Sequence, residues 1–166
     1  GTFWISVFNT LMDLPRVKTP CIGVCSTGIG DLVCRGCKRF SHEVIQWNGY
    51  SEEQKRIVDQ RLSDFLSKCV GNYLNIDDPS LVKWQLDVQQ IRYNQNHDEN
   101  CWLFALVKAG AGQITTTADY GFSIRREYDQ LNLFEIREMI DSDFYTLSEA
   151  YYDRYISIPD LFDSVV

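Results

Sequence analysis

Apolar residues recur at helical spacing at the start of the chain. Five of the first eleven residues follow the three-to-four-residue repeat of an amphipathic helix: Phe3, Trp4, Val7, Phe8 and Leu11. The polar face between them carries no basic residue, which disfavours attachment to a membrane surface. We therefore expect a short helix that packs on the core, and no apolar run elsewhere is long enough to cross a bilayer.

The strongest helical signal begins at Ser51. Ser51 and Gln54 have the spacing of a capping box, in which each side chain satisfies the backbone N–H of the other residue. The residues behind it place an apolar stripe on one helix face: Val58, Leu62, Phe65, Leu66 and Cys69. The pattern predicts a helix over residues 52–70, and Gly71 lies where a left-handed residue would end it. A shorter helix is predicted upstream, with Ser41 as its N-cap.

The periodicity changes after a turn predicted at residues 77–80. Apolar residues then alternate or run continuously, as is typical of strands: Trp84, Leu86 and Val88, then residues 101–107, then alternate positions from Ile114 to Ile124. We expect three antiparallel strands here, with a turn at residues 110–112. Residues 131–140 fit a helix or a strand, and residues 147–155 fit a helix.

Composition and charge indicate a folded α+β protein of two parts. With 166 residues, 45% of them hydrophobic, the chain can bury a core. Residues 1–72 hold nine Lys/Arg against seven Asp/Glu, or +2, whereas residues 73–166 hold seven against sixteen, or −9. We expect a small four-cysteine metal-knuckle module with two helices in residues 1–72. An acidic α+β domain, an antiparallel sheet with flanking helices, is expected in residues 73–166.

Four of the six cysteines lie within seventeen consecutive positions. Their spacing is Cys21-x3-Cys25-x8-Cys34-x2-Cys37, two close pairs joined by a short loop, which is typical of two knuckles around one tetrahedral ion. A glycine inside each pair permits the backbone angles of a tight turn. We see no export signal and expect a cytoplasmic protein, where disulfides are rare and clustered cysteines more often bind metal.

The choice of metal lies between zinc and an iron–sulfur cluster. Four thiolates around a divalent ion carry a net charge of about −2, which the neighbouring Arg35, Lys38 and Arg39 would offset. The familiar cluster spacing Cys-x2-Cys-x2-Cys with a distal Cys-Pro is absent, so we expect zinc, with an iron–sulfur cluster as the alternative. His42, five residues after Cys37, could replace a cysteine ligand, although a place in the first turn of a helix is the simpler interpretation.

The cysteine segment resembles a known bacterial family. Four features between residues 19 and 66 carry the resemblance: Pro20-Cys-Ile-Gly-Val-Cys-Ser, Cys34-Arg-Gly-Cys-Lys-Arg, Glu43-Val-Ile-Gln-Trp47 and the helix from Glu52 to Leu62. This combination is similar to domain-of-unknown-function family 1289, whose members are small four-cysteine proteins often labelled predicted Fe–S proteins. The family has no established activity. The resemblance implies a metal-binding module, and the acidic C-terminal region lies outside it.

The expected function is binding rather than catalysis. A closed four-thiolate site has no open coordination position for water or substrate, which disfavours hydrolytic metal catalysis. We expect an adaptor protein whose module presents a surface to a protein partner: Arg35, Lys38, Arg39 and Trp47. Nucleic acid could contact this module only, because the acidic half would repel phosphates. The alternative is an iron–sulfur electron-transfer or cluster-accessory protein, and the sequence does not indicate an oligomeric state.

Other candidate sites have simpler interpretations. The second cysteine pair could be a thioredoxin-like redox pair, but this leaves the first pair without a role. Cys69 and Cys101 fall on apolar segments and are expected to pack in the core. His97, followed by Asp98-Glu99, could begin a metal or acid–base site, but a polar turn between strands explains it as well. No phosphate-binding loop or nucleophile elbow is present in the sequence, so we do not expect an enzyme.

Overall fold

The computed structural model describes residues 16–157, which form five α-helices and one antiparallel pair of strands. The helices are α1 (Ser41–Gln46), α2 (Glu52–Gly71), α3 (Pro79–Val88), α4 (Glu99–Gly110) and α5 (Leu133–Tyr151), and the strands are β1 (Leu74–Ile76) and β2 (Phe122–Ile124). A π-helical turn, Tyr152–Ile156, follows α5. The helix predicted at residues 3–11 lies outside the described residues. None of the helices between residues 16 and 157 combines the length and apolar character needed to cross a bilayer.

Helix α2 begins with the capping box that the sequence predicts. The Ser51 N–H donates to Gln54 Oε1 over 2.8 Å, and the Gln54 N–H donates to Ser51 Oγ over 3.2 Å. Its far end differs slightly from the prediction, because Gly71 stays helical and Asn72 caps the helix in a right-handed conformation. The helix is therefore confirmed, and the left-handed ending at Gly71 is wrong.

The first segment predicted as a strand is helix α3. The Asp78 carboxylate caps its N-terminus, and Pro79 occupies the first helical position, where its missing N–H has no consequence. Val82 and Leu86, four residues apart, are fully buried, whereas Trp84 is 56% exposed. The apparent alternation therefore combined exposed and buried positions of one helix.

The second predicted strand is helix α4. The Asp98 carboxylate accepts the N–H groups of Asn100 and Cys101 over 2.9 and 3.3 Å and so starts the helix. Leu103 and Leu106 are fully buried in the middle of the fold. A helix in the centre of a core is apolar on most of its surface, which makes its sequence resemble a buried strand.

The sheet has two strands, where three were expected. β1 and β2 run antiparallel, with Leu74 opposite Ile124 and Ile76 opposite Phe122. Only the end of the third predicted strand, Phe122–Ile124, is a strand in the structure. The α+β class with an antiparallel sheet and flanking helices is confirmed, and the number of predicted strands was too large.

A hydrophobic core joins both halves of the chain. Helix α2 packs against α4 and α5, and β1 contacts α2 and α4. Fully buried core residues come from α2 to α5 and from both strands: Val70, Leu74, Val82, Leu86, Leu103, Leu106, Val107, Phe122, Ile136 and Ile140. The predicted boundary at residue 72 therefore falls between elements that share this core.

Candidate metal centre

The second cysteine pair lies in a tight turn closed by backbone hydrogen bonds. Val33 and Phe40 form an isolated antiparallel bridge, and the Cys34 N–H donates to the Arg39 carbonyl over 2.9 Å. The Lys38 N–H donates to the Cys34 carbonyl over 2.8 Å, and Lys38 itself is left-handed with φ 65°. That conformation is uncommon outside glycine, and here it reverses the chain directly after the second thiol of the pair.

Both thiols of the second pair are buried and surrounded by N–H donors. Cys34 is 1% exposed and Cys37 is 8% exposed. Burial raises the pKa of the Cys34 thiol, but backbone hydrogen bonds from Cys37, Ser26 and Gly36 outweigh it and lower that pKa to about 7. Burial raises the pKa of the Cys37 thiol, and Arg39, whose Nε lies 3.2 Å from Cys37 Sγ, opposes that rise. Donors aimed at sulfur stabilise the thiolate form that binds metal.

The first cysteine pair is exposed, and both of its sulfurs lie close to polar groups of residues two positions further along the chain. The Gly23 N–H lies 3.4 Å from Cys21 Sγ, and Cys25 Sγ lies 3.1 Å from Thr27 Oγ1. Gly23 has φ +88°, a conformation that glycine adopts without strain. The first pair therefore forms a turn of the predicted kind, with both thiols accessible to solvent.

The backbones of the two cysteine segments pack directly against each other at Gly36. A Cβ atom at Gly36 would lie 2.2 Å from the Val24 carbonyl oxygen and 3.2 Å from Ile22 Cγ1. The Cys34 sulfur lies 3.7 Å from the same Val24 oxygen. Only glycine permits this approach, which brings the first knuckle beside the second.

The four thiols do not converge on one point, although the backbones of the two cysteine segments are in contact. Within residues 16–157, no group of three or more His, Cys, Asp or Glu side chains is arranged to hold a metal ion. The second pair, with its N–H donors, fits one half of a four-thiolate site. The exposed first pair fits the other half only if Cys21 and Cys25 turn towards the second pair.

Arg39 and Trp47, predicted to lie on a partner surface, are buried instead. Arg39 is 4% exposed and Trp47 is 6% exposed. The Arg39 guanidinium lies 4.9 Å from the centre of the Trp47 ring, and Lys55 Nζ lies 5.6 Å from the same ring. The Trp47 ring therefore supports the arginine that donates to Cys37 Sγ.

Lys38 is buried as well and points towards helix α5. The residue is 2% exposed, and its Nζ donates to the Gly36 carbonyl over 3.2 Å. The same ammonium forms an ion pair with the Asp141 carboxylate and lies 5.4 Å from the centre of the Phe144 ring. Lys38 thus joins the second knuckle to the C-terminal half of the chain.

Arg35 is the exposed member of the predicted partner surface. Its side chain is 66% exposed, with Nε 3.2 Å from the Asp31 carboxylate and the guanidinium 4.9 Å from the centre of the Tyr145 ring. The burial of Lys38, Arg39 and Trp47 corrects the expected surface. Lys38 and Arg39 face inward because each charge has a partner, the Asp141 carboxylate or Cys37 Sγ, that offsets the cost of removing it from water. The Trp47 ring is buried because it is largely apolar.

A buried ion pair that the sequence analysis missed supports the module. Arg61 on α2 donates from Nη1 and Nη2 to the two Glu43 carboxylate oxygens over 2.7 and 2.6 Å. Glu43 also accepts the Phe40 N–H over 2.9 Å, so Phe40, rather than the predicted Ser41, is the N-cap of α1. The three-residue spacing of Phe40 and Glu43 could have indicated this contact. Nothing local indicates Arg61, which lies eighteen residues further on.

His97 pairs with a carboxylate on α2. His97 Nε2 lies 2.8 Å from Asp59 Oδ2, and His97 lines an open depression of about 440 Å³ with Glu99 and Trp102. The residues that line this depression include two further acidic side chains, Asp98 and Glu99, and no hydroxyl or thiol side chain. Asp98, expected in a turn between strands, is the N-cap of α4.

The remaining candidate residues occupy the simpler of the two expected positions. His42 is exposed in the first turn of α1. Cys69 and Cys101 are 3% and 7% exposed in the core. Burial raises the pKa of the Cys69 thiol to about 11 and that of the Cys101 thiol to about 12. These two thiols are neutral packing groups.

Comparison with known proteins identifies the cysteine segment. Residues 19–65 match the profile of a family described as a protein of unknown function, DUF1289. The match begins before Cys21 and ends within α2, so it includes all four knuckle cysteines. No curated protein and no solved structure was found to match the chain. The segment from residue 19 to residue 65 therefore matches DUF1289, the family that its sequence pattern predicted.

Proposed function

We propose that the DUF1289 module binds one structural zinc ion through Cys21, Cys25, Cys34 and Cys37. Zinc prefers tetrahedral coordination by thiolates, and four thiolates leave no position for a substrate. Such a site would cross-link two chain segments that contain little apolar core of their own, so binding would contribute to folding.

The packing at Gly36 is the observation that carries this proposal. It brings the backbone of the first knuckle against the turn that contains Cys34 and Cys37. Around that turn, Arg39 donates to Cys37 Sγ. Because these backbones are adjacent, closing the site would require the exposed side chains of Cys21 and Cys25 to turn towards the second pair.

Metal analysis together with an optical spectrum of anaerobically purified protein tests the proposal. We expect a colourless sample with one zinc per chain. Cys34→Ala should lose the metal, and Cys69→Ala, a buried cysteine outside the module, should keep it. A brown sample with thiolate-to-iron absorption would instead indicate an iron–sulfur electron-transfer or cluster-accessory protein. A wild-type chain that takes up neither metal would refute the proposal.

We further propose that the module has a binding role, with a protein as its partner. Its cysteine segment exposes large apolar side chains, each more than half accessible: Ile22, Val24, Ile29 and Leu32. Exposed apolar residues favour a protein partner over nucleic acid, and Arg35 is the accessible cation of the predicted surface. A reducing compartment such as the bacterial cytoplasm would keep the thiols available for metal.

Affinity capture with matched variants tests this binding role. Ile29 is 85% exposed in the cysteine segment, and Ile57 is 65% exposed on α2. We expect Ile29→Ser to lose the partner that the wild-type chain captures and Ile57→Ser to retain it. The same partner recovered with all three proteins would exclude the cysteine segment as the binding surface.

A further inference from the structure

Helix α5 lies outside the family match and packs along the cysteine module. It contains five acidic residues and one arginine. One face of the helix supplies the contacts: Asp141 and Phe144 to Lys38, Tyr145 to Arg35, and Tyr151 to Phe40. Positions three, four and ten residues apart share one side of a helix, so these contacts form a continuous stripe.

Lys38 lies at the centre of this contact in an unfavourable position. It is a non-glycine residue with φ 65°, and its side chain is 3% exposed. Left-handed backbone and a buried ammonium each carry a free-energy cost and persist only where surrounding groups compensate for it. The compensation comes from the Gly36 carbonyl on one side and from the Asp141 carboxylate on the other.

The Lys38 contact constrains the geometry of the second cysteine pair. Gly36 lies between Cys34 and Cys37, and the Lys38 N–H donates to the Cys34 carbonyl. Without the Asp141 carboxylate, the buried ammonium would have no counter-charge. Its movement into solvent would then lower the free energy of the protein. That movement would break the bond from Lys38 Nζ to the carbonyl of Gly36, which lies between the two cysteines.

We propose that α5 is the partner of the cysteine module within the same chain, and that the Lys38–Asp141 contact holds the Cys34–Cys37 turn in its buried geometry. The consequence for metal rests on the proposed function. If the turn is a ligand pair, docking of α5 and metal binding stabilise each other to the same extent, because coupling between two sites is reciprocal.

Thiol labelling of the metal-free chain tests the contact directly. The variants are Asp141→Asn, Lys38→Met and the double variant, with Glu138→Gln as the control because the Glu138 carboxylate is 72% exposed on the same helix. Labelling by iodoacetamide is followed cysteine by cysteine with peptide mass spectrometry. Exposed Cys21 and Cys25 serve as internal references.

We expect Asp141→Asn to accelerate labelling of Cys34 and Cys37 by at least about fivefold. The double variant should label no faster than the faster single variant, because both changes remove the same contact. Unchanged rates in Asp141→Asn would overturn the proposal. Equal acceleration at the core thiols Cys69 and Cys101 would indicate general unfolding and would also count against it.

A second measurement separates this inference from the metal proposal. The dissociation constant for zinc should be higher for Asp141→Asn than for wild type, by a factor similar to the increase in its labelling rate. Glu138→Gln should bind zinc as wild type does. A wild-type chain that binds no metal would refute the proposed function and leave the labelling result to decide this inference. Normal zinc affinity together with unchanged labelling in Asp141→Asn would overturn the inference alone.

Discussion

Arg39 Nε lies 3.2 Å from Cys37 Sγ inside the fold, and the guanidinium rests on the face of Trp47. A cation held beside a sulfur favours the thiolate that a metal requires. The sequence predicts that Arg39 and Trp47 lie on a surface for a partner. In the structure both are buried, with Arg39 between Cys37 Sγ and the Trp47 ring.

The first prediction follows from this contact. Arg39→Gln should weaken the proposed zinc binding by about 10–100-fold, which is the usual cost of removing a group that bonds to a metal ligand. Competition with a chelator measures the affinity. Arg92→Gln, an exposed arginine outside the module, is the control and should match wild type. Equal zinc affinity of the Arg39 variant and of wild type would show that Arg39 does not contribute to metal binding.

The second prediction concerns the approach of the two knuckles. A Cβ at Gly36 would lie 2.2 Å from the Val24 oxygen, so Gly36→Ala should push the segments apart and cost about 1–3 kcal/mol of unfolding free energy. Gly28→Ala is a matched control, since its Cβ meets nothing within 4 Å. Urea denaturation measures the free energy of unfolding, and chelator competition measures whether separating the segments also weakens the proposed zinc binding. Similar behaviour of the two variants would contradict the packing at Gly36.

The third prediction concerns the buried ion pair between α1 and α2. Glu43→Gln removes the counter-charge of the Arg61 guanidinium. Water cannot replace it fully, because the Glu43 side chain is 6% exposed and the Arg61 side chain is 15% exposed. We expect a loss of about 3 kcal/mol in the free energy of unfolding. Glu127→Gln, at an exposed position, should change it by less than about 0.5 kcal/mol. A loss of similar size in both variants would show that the pair contributes no specific stability.

The fourth prediction is a loss of stability at high pH. Burial raises the pKa of Cys69 to about 11 and that of Cys101 to about 12, whereas an unfolded thiol ionises near about 8.5. Above about pH 9 the unfolded chain has released protons that the folded chain retains, so the free energy of unfolding falls as pH rises.

Between about pH 9 and pH 11, ionisation of each of these cysteines should lower the free energy of unfolding by about 1.4 kcal/mol per pH unit. Denaturation curves recorded at several pH values measure the total slope. Cys101→Ala should reduce it by the share of one cysteine. A slope that the substitution leaves unchanged would show that Cys101 ionises equally readily in both states.

The sequence determined those features that depend on neighbouring residues. Ser51 and Gln54 are three positions apart, and their mutual capping is a local geometry that the structure reproduces. The family module was also recognisable, because its cysteines, its Arg-Gly and its Trp lie within one short segment. The hydrophobic pattern predicted strands where α3 and α4 lie, because a short apolar run is equally typical of a buried strand and of a helix surrounded by core.

Only the tertiary structure decided the environment of each charged side chain. Arg39, Lys38 and Glu43 resemble surface residues in sequence, yet each is buried against a partner supplied by Trp47, Asp141 or Arg61. The separation between Lys38 and Asp141 is 103 residues, and no local pattern indicates it. Burial of a charge depends on which groups folding brings beside it, and that is a property of the packed chain rather than of any segment.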